Sequence, residues 1–142
     1  MINLAKTRLD ANITGNMGWE MDINGHHFVT DAAIEAGGND KGPRPKALLL
    51  AGLIGCTGVD VKMILDKMKV DLQDMKISAE AEAAEDHPKV YTDIHLTFTF
   101  KGKDLPLDKL EKAVKLSQEK YCGVTAMLQK AAPVTYDIVV EE

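Results

Sequence analysis

The stretch from Lys46 to about Met68 constrains the fold more than any other part of this chain. Its apolar residues recur at three- and four-residue steps: Leu49, Leu53, Cys56, Val59 and Met63. Apolar residues at this spacing form one face of an amphipathic helix. The pattern therefore predicts one long helix with Cys56 on its buried face, and Pro45 is well placed to open it.

Three glycines lie in the middle of this predicted helix: Gly52, Gly55 and Gly58. A glycine in a helix interior costs roughly 1 kcal/mol relative to alanine. Such a cost is tolerated where a side chain would be in the way, so the glycines suggest that another backbone, or a ligand, approaches the helix closely there.

The segment before the helix has the pattern of a β-meander. Its clearest signal is the dipeptide Asn24-Gly25 between two alternating runs, residues 19–23 and 26–30. An Asn-Gly pair in this setting predicts a hairpin with a type I′ turn. Residues 35–45 are rich in glycine, proline and charge, and they predict a loop.

The segment after the helix begins with two runs of alternating apolar and polar residues, 70–83 and 90–100, which predict antiparallel strands. Asp108 is the predicted N-cap of a helix that starts at residue 109. Gly123 interrupts that helix, so residues 125–131 predict a second one with Cys122 at its N-terminus.

The last run, residues 134–140, predicts a closing edge strand. The resulting order of elements is that of an α+β protein. A chain of 142 residues with 45% hydrophobic and 27% charged residues fits one domain over 1–142.

Charge and composition exclude several classes of protein. The net charge is −5 and the only arginines are Arg8 and Arg44, so no nucleic acid partner is expected. The N-terminal residues contain no long apolar run, which predicts neither a signal peptide nor a membrane partner. We therefore expect a cytoplasmic protein, in a compartment where thiols are kept reduced.

No sequence motif indicates a cofactor or a metal. The nucleotide-binding glycine patterns, the His-Glu-x-x-His helix and the Gly-x-Ser-x-Gly turn are absent. His26 and His27 are adjacent in a strand and point to opposite faces, so they cannot chelate one ion together. His95 is open to two interpretations, a cross-strand polar residue or the wall of a pocket, and the first is the more common.

Cys56 and Cys122 are the only thiols of the chain, and only the fold could bring them together. Burial raises the pKa of a thiol, whereas a helix N-terminus lowers it. Cys56 alone could be a small core residue as readily as a reactive one. If the two sulfurs meet, they can act as the attacking and resolving thiols of a peroxide reaction.

Two segments carry a family resemblance: GPRPKALLLAGLIGCTGVDV at residues 42–61 and SQEKYCGVTAML at residues 117–128. They resemble the OsmC/Ohr family of thiol-dependent hydroperoxide reductases, and especially its YhfA-like branch. The resemblance implies an OsmC-like fold, an intertwined homodimer in which two central helices pack against antiparallel sheets.

The resemblance also implies the chemistry. Cys56 is then the attacking thiol and Cys122 the resolving one, with an organic hydroperoxide as substrate. An external dithiol of the lipoyl or thioredoxin type would regenerate the reduced protein.

In the hydroperoxidase branches an arginine from an N-terminal strand and a glutamate support the thiolate. Here Lys46 holds the position of the glutamate, and residues 13–17 contain no arginine. Arg44 and Lys46 are the candidate replacements. Because the glutamate and the arginine are missing, an alternative stays open: a protein of the same fold that binds a small or lipid-like ligand without peroxidase activity. A third possibility is a purely structural dimer.

Overall fold

The N-terminal sheet is an antiparallel meander in which β1 (Ala11–Thr14), β2 (Gly18–Ile23) and β3 (His26–Thr30) follow one another. The computed structural model describes residues 6–142, which separate into two units divided between Leu49 and Leu50. Asn24 and Gly25 both have positive φ angles, 52° and 81°. The type I′ hairpin and the meander predicted from the sequence are therefore confirmed.

The loop that follows β3 is organised around the carboxylate of Asp31, which is 2% exposed. It accepts backbone N–H bonds from Ala32 at 2.7 Å, Lys41 at 3.1 Å and Asn39 at 3.2 Å. Burial on its own raises the pKa of Asp31, but the three N–H bonds and the Arg44 guanidinium together hold it below its usual value. The Asp31 carboxylate thus binds backbone groups from both ends of this loop and holds them together.

The long helix α1 (Ala47–Lys67) begins just before the boundary between the two units, and the second unit contains the rest of it and a three-stranded sheet. The strands are β4 (Asp74–Ala83), β5 (Tyr91–Lys101) and, near the C-terminus, β6 (Val134–Glu141). β5 is central, antiparallel to β4 and parallel to β6. The predicted long helix, strand pair and edge strand are all present.

Two helices connect β5 to β6, namely α2 (Leu107–Leu116) and α3 (Gly123–Leu128). A single π-helical turn, Ser117–Tyr121, lies between them. The expectation that Asp108 caps α2 is wrong, because the helix begins at Leu107 and the residue before it is Pro106, which offers no side-chain cap. Asp108 instead lies in the first turn, where a carboxylate is favourable near the positive end of the helix dipole.

The buried face of α1 differs from the predicted one. Leu53 is fully buried as expected, but its buried companions are Thr57, Val61 and Leu65. Of the other predicted positions, Cys56 is partly buried. The remaining three are exposed: Leu49 by 50%, Val59 by 61% and Met63 by 53%. The sequence pattern could not select the face, because α1 is apolar all round, with a mean hydropathy of 1.8 over its most apolar window.

The core of the second unit lies between α1, α2 and one face of the sheet. Its fully buried side chains include Leu53, Val61, Leu65, Leu96, Phe98, Phe100, Leu110 and Val114. The rings of Phe98 and Phe100 stack 6.3 Å apart on this face of β5. The core holds the N-terminal end of α3 against α1, and this contact positions the two cysteines.

Two of the three glycines of α1, Gly52 and Gly55, face open space. A Cβ atom at Gly52 or Gly55 would meet no atom within 4 Å, and at Gly58 it would meet only Ile77, at 3.4 Å. Nothing in the described part of this chain therefore approaches Gly52 or Gly55 closely. The predicted close approach of another backbone or a ligand stays a prediction.

Candidate active site

The two cysteines meet although they are distant in sequence. Cys56 lies in the middle of α1, and Cys122 is the N-cap of α3. Their sulfur atoms and a carboxylate oxygen of Asp60 all lie within 4.8 Å of one another. Both thiols are free, with Cys122 buried and Cys56 partly accessible.

Cys122 accepts hydrogen bonds through its sulfur. The backbone N–H of Thr125, an orphan donor of the first turn of α3, donates to Sγ at 3.3 Å. The hydroxyl of Thr57 lies 3.4 Å from the same sulfur. Gln118 Nε2 donates to Thr57 Oγ1 at 3.1 Å, which leaves the hydroxyl hydrogen of Thr57 free to point at Sγ. The Thr125 hydroxyl donates to Gln118 Oε1 at 3.2 Å and fixes the amide.

These contacts favour the thiolate form of Cys122. Burial on its own raises the pKa of this thiol, because it penalises the charged form. The donors on Thr125 and Thr57, together with the neighbouring Cys56 thiol, outweigh burial and bring the pKa below its usual value. The prediction that a helix N-terminus supports Cys122 agrees with this geometry.

In Cys56 the effects that disfavour the thiolate form are the stronger ones. The backbone N–H of Val124 has the largest single effect and lowers the pKa of Cys56. Burial, the Cys122 thiol and the negative charge of Asp60 together outweigh it and raise the pKa above its usual value. Of the two thiols, Cys122 therefore loses its proton first.

Asp60 is the residue of this site that the sequence reasoning missed. It lies one helical turn after Cys56, and its Oδ2 accepts a hydrogen bond from the Ser117 hydroxyl at 3.3 Å. It also lines a small cavity of about 180 Å³ together with Met63, Ile64, Lys67 and Tyr121. The i, i+4 spacing from Cys56 was the available signal, because residues four apart share a helix face.

Arg44 and Lys46, the predicted thiolate-supporting residues, precede α1 in the first unit. Arg44 Nη1 donates to Asp40 Oδ1 at 2.9 Å and to the carbonyl of Gly42 at 3.1 Å. The Asp40 carboxylate thus fixes the orientation of the guanidinium. An arginine that stabilises a thiolate needs such a fixed orientation. Lys46 is exposed at the start of the helix. The role of either residue stays a prediction.

The histidines stay outside this group. His95 contacts Thr135 Oγ1 at 2.7 Å and Asp137 Oδ2 at 3.0 Å on the neighbouring strand. This geometry fits the cross-strand interpretation of His95. Over residues 6–142, the Cys56, Asp60 and Cys122 group is the one set of three potential metal-ligand side chains that lie together.

The fold is that of a known class of proteins. The family profile described as "OsmC-like protein" matches residues 38–137, so the chain belongs to the OsmC family. Among its relatives is Protein YhfA of Escherichia coli K12, which is 36% identical over 118 residues, covering 82% of this chain and 85% of that protein.

Solved structures agree with this assignment. A hypothetical protein from Aquifex aeolicus VF5 is 29% identical, with a TM-score of 0.83 over 98% of this chain and all of the other. The organic hydroperoxide resistance protein OhrB of Bacillus subtilis has the same fold, with a TM-score of 0.61 at 18% identity. That similarity covers 93% of this chain and 98% of OhrB.

By length and composition alone, helix α1 could cross a membrane. Only 22% of its most apolar window is buried within the chain. Most of the apolar surface of α1 is therefore left uncovered by the described part of this chain.

Proposed function

We propose that the protein reduces organic hydroperoxides with Cys56 as the attacking thiol and Cys122 as the resolving thiol. The observation that carries the proposal is the approach of the two free sulfurs to within 4.8 Å. A disulfide needs an S–S distance of about 2.05 Å, so the two sulfurs must move together to form one. Membership of the OsmC family and the fold shared with OhrB support it.

The proton balance of the pair fits this division of roles. Cys56 is the more accessible sulfur, so it meets the peroxide, and its proton passes toward the Cys122 thiolate as it attacks. The Cys56 sulfur takes the terminal oxygen and becomes a sulfenic acid, while the alkoxide leaves with that proton as an alcohol. The Cys122 thiolate then attacks the sulfenic sulfur and the disulfide forms. The hydroxide that leaves takes a proton from the solvent and departs as water.

The surroundings suit an organic rather than an inorganic peroxide. The cavity beside Asp60 has an apolar wall formed by Met63, Ile64 and Tyr121, against which an alkyl group can pack. A disulfide between a buried and a half-buried cysteine must then be reduced by thiol exchange, for which we propose an external dithiol of the lipoyl or thioredoxin type. Such reductants, and the free thiols of the protein, fit a cytoplasmic location.

The exposed side of α1 supports a homodimer. Val59 and Met63 present apolar surface there, and Gly52 and Gly55 leave room for a second backbone. A soluble chain rarely leaves so much of an apolar helix in water. A second copy of the chain packed on this face would bury it, as the resemblance to the family predicts.

The alternative function, ligand binding without peroxidase activity, has weaker support. Pockets for small molecules usually measure about 300–1,000 Å³, and the cavity beside Asp60 measures about 180 Å³. A larger cleft of about 640 Å³ lies between α2 and β6, but neither cysteine lines it.

Single-turnover oxidation tests the proposal. Reduced protein is mixed with one equivalent of cumene hydroperoxide, and intact mass is measured without reductant. We expect the wild type to lose two hydrogens. The Cys122→Ser variant should hold a sulfenic acid at Cys56 that dimedone traps, and Cys56→Ser should react slowly. Unchanged thiol content in the wild type contradicts the proposal.

A further inference from the structure

We propose that the reduced site is also a metal site, in which Cys56, Cys122 and Asp60 bind one Zn²⁺ ion and leave a fourth coordination position open. Nothing in the sequence motifs predicts this, because the three ligands come from two helices that only the fold brings together. The inference goes beyond the peroxidase function and does not depend on it.

The geometry of the three side chains is close to that of a zinc site. Zinc binds thiolate sulfur at about 2.3 Å and carboxylate oxygen at about 2.0–2.2 Å, so tetrahedral ligand atoms lie about 3.3–3.8 Å apart. The three atoms here lie within 4.8 Å of one another. Closing this gap takes about 1 Å of side-chain movement. Cys56 and Asp60 are one turn apart on α1, which presents both to the same ion.

The charges of the group favour a cation. Two thiolates and a carboxylate would bring three negative charges to within 4.8 Å of one another, where they repel. A divalent cation among them reverses this repulsion, since a metal-bound thiol loses its proton outright. Binding should therefore release protons from the thiols.

Hydrogen bonds around the group hold its ligands in place. Ser117 donates to the Asp60 carboxylate at 3.3 Å, and Thr125 donates its backbone N–H to Cys122. Outer contacts of this kind orient metal ligands and raise affinity. The cavity next to Asp60 gives the fourth position room for a water molecule.

Metal binding and thiol oxidation then exclude each other. A disulfide between Cys56 and Cys122 removes two of the three ligands, so the oxidised protein should not bind the ion. Conversely, a bound ion occupies the electron pairs with which the thiols attack a peroxide or an alkylating reagent.

Cobalt titration is the first test, because thiolate ligands give Co²⁺ an intense near-ultraviolet charge-transfer band. The reduced wild type should show this band at one equivalent, and Zn²⁺ should displace it. Asp60→Asn should weaken zinc binding at least tenfold in competition with a chromophoric chelator. Asp66→Asn is the matched control, an exposed carboxylate of the same helix paired with Lys62, and it should bind like the wild type.

Three results overturn the proposal: no charge-transfer band in the reduced wild type, equal zinc affinity in the two aspartate variants, or undiminished binding by the disulfide form. Far-UV circular dichroism checks that the variants are folded. If Asp60→Asn does not fold, alkylation of the wild type by iodoacetamide still tests the proposal. Zn²⁺ but not Mg²⁺ should slow alkylation of both thiols. Equal alkylation rates with the two ions would contradict the metal site.

Discussion

The sulfur of Cys122 accepts the backbone N–H of Thr125 at 3.3 Å and thereby serves as the N-cap of α3. The cap places a thiol at the positive end of a helix and gives its thiolate a fixed donor. Thr57 approaches the same sulfur from α1, so donors from two helices stabilise the charge.

We therefore expect Thr57→Val to raise the pKa of Cys122. The change removes the hydroxyl donor while keeping the shape of the side chain. The test is the pH dependence of iodoacetamide alkylation at Cys122 in a Cys56→Ser background. Its midpoint should move to higher pH in Thr57→Val and should stay in place in Thr57→Ser, which keeps the hydroxyl. Equal midpoints in the two variants contradict the prediction.

The same variant should be less stable. Thr57 is fully buried, and valine leaves Gln118 Nε2 without its acceptor. A buried unsatisfied donor costs about 1–3 kcal/mol. Urea unfolding should show a loss of this size for Thr57→Val and a clearly smaller one for Thr57→Ser.

Gly55→Leu tests the homodimer. The position is open within the chain, and leucine is roughly 0.5–1 kcal/mol better than glycine in a helix. In an isolated chain the change should therefore do no harm. In a dimer packed on this face of α1, the added side chain collides with the second copy and association weakens.

Light scattering coupled to size exclusion distinguishes these cases. The wild type should elute with twice the chain mass and Gly55→Leu with a lower, concentration-dependent mass. Lys112→Leu, an exposed position of α2, is the control of equal bulk and should remain dimeric. A monomeric wild type, or an unaffected Gly55→Leu dimer, contradicts the dimer on this face.

Arg44→Gln tests the cation predicted to support the attacking thiol. The guanidinium of Arg44 is held by Asp40, whereas Arg8 forms an ion pair that is almost fully solvated. We expect Arg44→Gln to slow thiol oxidation by cumene hydroperoxide at least tenfold and Arg8→Gln to leave the rate unchanged. Stopped-flow measurement of thiol loss compares them, and equal rates would exclude Arg44 from the reaction.

The features that could be predicted from the sequence are those that residues close together in the chain determine. The Asn24-Gly25 turn, the long helix and the placement of Cys122 at a helix start each depend on a few neighbouring residues. The buried face of α1 could not be predicted, because its apolar residues surround the helix. Asp60 was missed for a related reason, since its proximity to Cys122 arises only when α3 packs against α1.

Asp31→Asn should destabilise the protein in a pH-dependent way. The pKa of Asp31 is lowered in the folded protein, mainly by backbone N–H donors that outweigh its burial. A lowered pKa contributes stability that is fully present above the unfolded value of about 3.9 and is lost as the pH falls through the folded value. The difference in urea midpoint between the wild type and Asp31→Asn should thus be constant near neutral pH and shrink below about pH 4. Asp10→Asn is the control, because Asp10 is an exposed carboxylate, and its urea midpoint should differ from that of the wild type by the same amount at every pH. If the difference between the wild type and Asp31→Asn is also independent of pH, the charge of Asp31 does not contribute to stability.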